Sequence, residues 1–294
     1  MASLLERTTN TLERYLRTDV RYLTSGGFWL LLERAITTIL TLLLGIAFGN
    51  LVDPDQYGIY KYVVTTITII GAVSLTGIGN AVEQATARGN DALYHTGWRR
   101  YRTYLLLPIA LATAFALYYA WRDSYLLAAA FAVGGLLAPV TRGLGFYVNF
   151  LQGKKWFRQR TQMLVLREIL FVSIMIGLLI YTNSILLVIA AYFILQFCNA
   201  LTGHWFVIRK VPEKKTDDTD GLLTFGNHLS AMQLLRTASL QGDKVLVYHF
   251  LGPASLALYA FALLPVEKLQ QLNAVLSNLA LPRFSMRAAK EIQA

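Results

Sequence analysis

Long apolar stretches separated by short polar connections dominate the chain. Runs of aliphatic and aromatic residues occupy 28–50, 61–82, 103–121, 125–150, 162–182, 184–208, 225–250 and 256–281. Each is longer than the ~18 residues at which an apolar stretch reads as a bilayer-spanning helix. None shows the ten-residue alternation of apolar and polar positions that marks a membrane barrel strand. Helices, which satisfy their own backbone hydrogen bonds inside lipid, are therefore predicted, about eight of them. The expected fold class is an all-α integral membrane protein, a polytopic helical bundle.

The connections carry a second pattern. Arg7, Arg14, Arg17 and Arg21 precede the first run; Arg88, Arg99, Arg100 and Arg102 lie between the second and third; Lys154, Lys155, Arg158 and Arg160 between the fourth and fifth. Arg209, Lys210, Lys214 and Lys215 follow the sixth, and Arg283, Arg287 and Lys290 the eighth. The alternate connections, at 51–60, 122–124, 183 and 251–255, hold only Arg122. Lys and Arg favour the cytoplasmic side of short loops, so this alternation predicts a multi-pass protein of a cytoplasmic (inner) membrane with both termini in the cytoplasm.

Composition agrees: 55% of residues are hydrophobic and 15% charged, where soluble domains carry about 25% charged residues. The net charge of +10 would suit a nucleic-acid binder, but the basic residues follow the topology rather than one folded face, and no nucleic-acid partner is expected. A single cysteine excludes a disulfide framework and Cys-rich metal sites. Cys198, within the sixth run, reads as an inert core thiol. Leu5, Leu12, Leu16, Val20 and Leu23 form one stripe of a helix, which predicts an interfacial helix over 1–24; the alternative is a partly ordered tail. No cleavable signal peptide is visible in the polar first 25 residues.

An internal repeat emerges when residue 27 is laid on residue 226, a shift of 226 − 27 = 199. Gly27 then meets Gly226, Pro54 Pro253, Tyr60 Tyr259, Ala81 Ala280 and Arg88 Arg287, with Gly58 over Ala257. These positions fall at equivalent points of two helical hairpins, and internal repeats are frequent in transporter folds.

At these residues the chain resembles the polysaccharide-biosynthesis flippases, the Wzx-type branch of the multidrug/oligosaccharidyl-lipid/polysaccharide (MOP) superfamily. The stretch from Phe48 through Gly49, Asn50, Asp53, Pro54, Tyr57 and Gly58 to Tyr60 is similar to the family's first outer turn. Gly77-Ile78-Gly79, Gln84 and Ala87-Arg88-Gly89 are similar to its second-helix exit. Asp243, Phe250-Leu251-Gly252-Pro253, Tyr259 and Leu281-Pro282-Arg283 are similar to the matching pattern in its second lobe. The resemblance spans roughly 25–290 and implies a MATE/MurJ-like bundle of two pseudo-symmetric lobes. Members usually have twelve or fourteen spans, so the expected division is 25–209 as an amino-terminal lobe of six spans, 210–224 as a cytoplasmic linker, and 225–294 as part of a carboxy-terminal lobe.

The resemblance implies a lipid-linked oligosaccharide flippase. Its cargo would be an undecaprenyl-diphosphate-linked glycan unit of an O-antigen, lipopolysaccharide, capsule or exopolysaccharide, carried from inner to outer leaflet by alternating access. Partners would be that lipid-linked oligosaccharide, the lipid bilayer and other polysaccharide assembly proteins. No enzymatic activity, cofactor or metal is expected. A membrane glycan polymerase and a non-transporting scaffold of a polysaccharide assembly complex are the alternatives; the short outer connections disfavour the polymerase.

Ionisable groups inside spans are costly and normally face a partner or an aqueous cavity, which makes them the candidate substrate-binding residues. At 1.5 Å per residue, Glu33, Arg34, Arg142, Arg167 and Glu168 lie within about 10 Å of cytoplasmic helix ends, placed to form an entrance. Arg236, Glu267 and Lys268 lie near the midplane, and Asp243 and Lys244 nearer the outer side. Arg236 and Asp243, seven apart, share a helix face, with Lys244 turned about 80° away from Arg236. Basic groups at successive depths suit an anionic head group, because guanidinium offers a diphosphate bidentate, charge-assisted hydrogen bonds. Arg236 is the foremost candidate, then Arg34, with Arg142, Lys244, Lys268, Glu33, Asp243 and Glu267 around them. The competing reading is structural: Glu33–Arg34, Arg167–Glu168, Asp243–Lys244 and Glu267–Lys268 are neighbours of opposite sign that lower the local charge, and residues near helix ends can snorkel. Pro108, Pro139 and Pro265 fall within or near spans, as hinges or as ordinary kinks. Gly77-Ile78-Gly79 and Gly143-Leu144-Gly145 lack the strand–turn–helix context of a dinucleotide loop and read as close-packing residues.

Overall fold

The apolar runs fold into helices in the computed structural model, which describes residues 20–211 and 221–270. The elements are α1 (Val20–Leu51), α2 (Pro54–Ala72), α3 (Ile78–Ala87), α4 (Leu93–Thr103), α5 (Leu106–Trp121), α6 (Tyr125–Leu144), α7 (Phe146–Gly153), α8 (Phe157–Tyr181), α9 (Ile185–Ile208) and α10 (Leu222–Leu251). A further helix, α11, runs over 253–270. No strand occurs among the described residues. The predicted interfacial helix over 1–24 falls almost wholly outside them, as does most of the 210–224 linker.

Five stretches are long and apolar enough to cross a membrane: Gly26–Leu51, Leu93–Trp121, Tyr125–Gly153, Phe157–Tyr181 and Ile185–Ile208. Their outer faces are apolar and uncovered, with Trp121, Leu117, Ile180 and Leu187 among the exposed side chains. An exposed apolar surface of this extent is a lipid-facing one. The protein is an all-α polytopic membrane protein. Cys198 sits on the exposed side of α9, not in the core as its apolar context predicted.

Two apolar cores divide the bundle. One runs through α1, α2, α5, α6, α8, α9 and α11 and includes Phe48, Tyr57, Tyr62, Phe131, Met175, Ile189 and Leu256. The other gathers the short helices α3, α4 and α7 against the end of α9 around Ile78, Tyr94, Tyr101, Tyr147 and Val207. The second core lies at the end of the bundle where the connections are basic. The opposite end, called here the hairpin end, carries the tight connections at 52–53, 122–124, 182–184 and 252.

Three predicted runs break where backbone or side-chain chemistry interrupts them. The 61–82 run ends its first helix at Ala72, where the Ser74 hydroxyl turns back onto the Gly71 carbonyl at 2.5 Å. Gly77 then meets α10, its N–H donating to Ser230 Oγ at 2.9 Å, and α3 begins in a new direction. The 125–150 run divides at Gly145 into α6 and α7. The run from 103 follows α4 after a short interruption at 104–105. Pro108 has no N–H for the Tyr104 carbonyl four residues back, which loosens the turn there. Pro139 sits inside α6, and its own carbonyl accepts the Tyr101 hydroxyl at 2.7 Å.

The 199-residue repeat is visible as exchanged contacts. Tyr62 of α2 stacks on Tyr248 of α10 with ring centroids 3.9 Å apart. The shift carries Tyr62 to Phe261 and Gly49 to Tyr248, and Phe261 of α11 does lie against Gly49 of α1. A contact and its counterpart of this kind are what two similar hairpins related by a two-fold axis produce. Ala280 and Arg287, which the repeat also pairs, lie outside the described residues.

At the basic end, Glu83 of α3 accepts a hydrogen bond from the Asn149 amide of α7 at 3.2 Å. Burial raises its carboxyl above the ordinary value of 4.5, against that hydrogen bond and the nearby Arg160. A raised acid pKa means that the folded state favours the protonated form, so this group lowers stability as pH rises through and above 4.5. Glu83→Gln should therefore raise the unfolding midpoint at pH 7, with the gain shrinking as the pH falls toward 4.5. Thermal unfolding of both proteins across that pH range checks it; a gain that grows on acidification would refute the sign.

Candidate functional site: a charged crevice below an aromatic seal

Although consecutive, α1 and α2 form no extended packing seam among the described residues; α1 packs along α8, whereas α2 packs on α6 and α10. The hairpin opens from its tip, and α11 enters the gap there, meeting α2 at Gly58 and Tyr57 and α1 at Gly45 and Gly49. Aromatic rings close its hairpin end. Phe48 stacks on Tyr60 at 4.8 Å and lies 5.0 Å from Tyr57; Tyr57 stacks on Phe261 at 4.4 Å; Tyr192 of α9 meets Tyr60 edge-on at 5.7 Å.

Charged side chains line the gap beneath this seal. Lys61 of α2, one turn from Tyr57, faces Glu267, Lys244 and Lys268. Lys268 of α11 also faces Arg34 of α1 and Glu168 of α8. From the helical rise, Lys268 lies about 10 Å below Phe261, and Arg34 about 20 Å below Phe48. Arg34 Nε is buried without a hydrogen-bond partner among the described residues. Three cations thus occupy successive depths of one crevice.

The candidate residues divide by environment. Glu33 is ion-paired with Arg160 of α8 rather than with Arg34. Lys244 is buried and ion-paired with Glu267 at 2.6 Å, with Gln241 accepting a second bond at 2.9 Å. Asp243 accepts the Tyr259 hydroxyl of α11 at 2.5 Å. The neighbour pairs Glu33–Arg34 and Asp243–Lys244 therefore do not neutralise one another by ion pairing. Adjacent residues on a helix point about 100° apart, so the true partners come from other helices. Arg236 is exposed on α10, and the Asp243 carboxylate is taken up by the Tyr259 hydroxyl and the Lys244 N–H. Arg142 stands apart from the crevice group, reaching across to α2, where its guanidinium donates to the Thr68 carbonyl at 3.0 Å. Arg167, noted only as an entrance group, donates to Gln196 of α9 at 2.8 Å.

The structure brings three further residues against the candidate and entrance groups, Lys61, Arg160 and Gln196, which are not among the sequence candidates. Lys61 had a readable signal, being the one charge between Gln56 and Ala81. It stands at the first position of the 61–82 run, inside the predicted span. Gln196 carries no charge and had none.

Cationic side chains lacking an ion-paired carboxylate among the described residues, such as Arg34 and Lys61, are groups that can pair with an anion. No curated protein and no solved structure gives a significant match to the chain. A family profile described as polysaccharide biosynthesis protein matches residues 23–287, which runs from the first turn of α1 through α11 and takes in the residues of the crevice. On that match the chain belongs to the polysaccharide biosynthesis protein family.

Proposed function

We propose that this protein carries a lipid-linked oligosaccharide, with an undecaprenyl-diphosphate anchor, from the inner to the outer leaflet of a bacterial cytoplasmic membrane. The reading takes the basic end as cytoplasmic, adds α2, α10 and α11 to the five apolar spans, and keeps 25–209 and 225–294 as two lobes. The observation that carries it is the crevice: Lys61, Lys268 and Arg34 at graded depths, under a seal of stackable rings. A diphosphate cannot enter hydrocarbon without charge-assisted donors, and a channel of cations supplies them at each depth. Alternating access then requires the aromatic seal to part while the basic end closes. The connections at the hairpin end, at most three residues in length, leave little room there for the catalytic loop of a polymerase.

On this reading the candidate residues take different roles. Arg34 and Lys268 contact the head group; Glu267 and Lys244 set the charge of the upper crevice; Glu33, held by Arg160, fixes α1 to α8. Arg236 and Asp243 are outside the path.

The test uses cells lacking the protein, in which an impermeant sugar-modifying reagent reports the leaflet that holds lipid-linked units. Units protected inside, released by supplying the wild-type chain, are expected. Arg34→Gln and Lys268→Gln, at equal protein levels, should each slow release on the order of tenfold, the effect of losing one charged hydrogen bond. Arg236→Ala should stay within about twofold on the same scale. Single units accumulating outside would instead indicate polymerisation, and no accumulation would indicate a scaffold.

A further inference from the structure

A cavity of about 230 Å³ opens between α2, α6 and α9. Its polar lining is Thr68, Thr141, Arg142, Tyr192 and Gln196, and the rest is apolar, with no carboxylate among the lining residues. Both threonine hydroxyls donate to their own helices, Thr68 to the Val64 carbonyl at 2.7 Å and Thr141 to the Leu137 carbonyl at 2.8 Å. Gln196 uses its amide oxygen to accept from Arg167, which leaves its NH₂ group to donate. Arg142 uses one N–H on the Thr68 carbonyl and retains the others. Its guanidinium lies against Gly71, where a side chain would displace it. The donors that remain, on Arg142, Gln196 and Tyr192, converge on one space.

Charge makes the arrangement unusual. The charged or ionisable groups facing Arg142 are Tyr101 and Tyr192, both phenols. The carboxylate that faces Tyr192, Glu168, also faces the cations Arg167 and Lys268. Among the described residues no carboxylate pairs with Arg142, which is half-buried; a guanidinium so placed is costly, and membrane interiors hold such groups only when a partner is supplied. From these observations we infer that the cavity is a binding site for a small oxyanion of the phosphate or diphosphate class, held by Arg142, Gln196 and Tyr192. At roughly 30 Å³ per water, the space admits such an anion with a few waters, whereas an oligosaccharide is too large. The inference rests on donor geometry and charge and stands whether or not the protein transports glycans.

The same chemistry is carried by a free inorganic anion and by a lipid diphosphate head group. The experiment is calorimetric titration of the full chain in nanodiscs of zwitterionic phosphatidylcholine. Inorganic pyrophosphate is one probe and geranyl diphosphate the other. Binding of at least one is expected. Arg142→Gln should weaken it on the order of tenfold or more, as the loss of a charged hydrogen bond does, and Arg236→Gln, on the exposed side of α10, should leave it within about twofold; binding weakened by Arg34→Gln but not by Arg142→Gln would place the anion in the crevice and overturn the inference. Ala138→Leu, which fills the cavity and keeps every charge, should abolish binding; it guards against a misfolded Arg142 variant. Equal binding of both probes would identify a free-anion site, and binding of geranyl diphosphate alone a head-group site. No binding of either, or binding unchanged in Arg142→Gln and Ala138→Leu, would overturn the inference.

Discussion

Gly58→Ala should destabilise the folded chain by more than about 3 kcal/mol, beyond the usual penalty for overpacking a core. Glycine inside a helix normally costs about 1 kcal/mol relative to alanine, so the same substitution is stabilising wherever space allows. At Gly58 no space exists, because a Cβ would fall on the backbone carbonyl of Pro253. Pro253 opens α11, and its carbonyl belongs to the first turn of that helix, so it cannot swing aside without disturbing the second hairpin. Gly177 of α8 supplies the control, since a Cβ there meets nothing within 4 Å. Gly177→Ala should leave stability unchanged or raise it by up to ~1 kcal/mol. Unfolding midpoints of the two variants in one detergent decide the matter; equal midpoints would mean that α2 and the start of α11 are not held in this contact. Under the transport reading, Gly58→Ala also separates the hairpins at the end where the aromatic seal must form.

The parts legible in the sequence are those that depend on neighbours along the chain. Apolar runs set the number and type of elements, because lipid leaves the backbone no alternative to internal hydrogen bonding. Pro54 and Pro253 mark helix starts because a fixed φ and a missing N–H suit the first helical position. The repeat was legible from those prolines and from Gly58, and it reappears as the exchanged contacts of Tyr62 with Tyr248 and Gly49 with Phe261. Gly77 and Gly79 were readable as packing residues; the first meets Gly226 and Ser230 of α10, the second Asn149 of α7.

The illegible parts depend on which helix lies opposite. Charge by charge, the sequence offers Glu33 a partner at position 34, yet the ion pair forms with Arg160, 127 residues away. Depth along a helix is readable from the rise per residue, but azimuth is readable only once the apolar face is known. The described segment of α10 mixes apolar and polar residues on all sides, so nothing distinguished the exposed Arg236 from the buried Lys244. The breaks at 73–77 and at Gly145 were hidden for a related reason. They are set by α3 and α7 packing on one another at the basic end, not by a breaker such as proline.

Glu267→Gln should cost about 3 kcal/mol or more, and Lys244→Met much less, although the two residues form one ion pair. The asymmetry follows from exposure and from the other charges present. Lys244 shows 8% of its side chain to solvent and Glu267 shows 41%. Removing the ammonium leaves a carboxylate that is half in solvent and still faces Lys61 and Lys268. Removing the carboxylate leaves three ammonium groups facing one another, one of them buried with only the Gln241 amide oxygen as acceptor. Breaking a buried pair is expensive on the side whose charge stays behind, and here that side is Lys244. The double variant, with an apolar side chain at 244 and an amide at 267, should therefore be more stable than Glu267→Gln alone. A double-mutant cycle on unfolding midpoints gives the coupling directly, and additive effects, or a larger cost for Lys244→Met, would contradict this account. Under the transport reading, the carboxylate that serves three ammonium groups is also the group that an incoming diphosphate replaces. Excess pyrophosphate should then stabilise Glu267→Gln by more than it stabilises Lys244→Met.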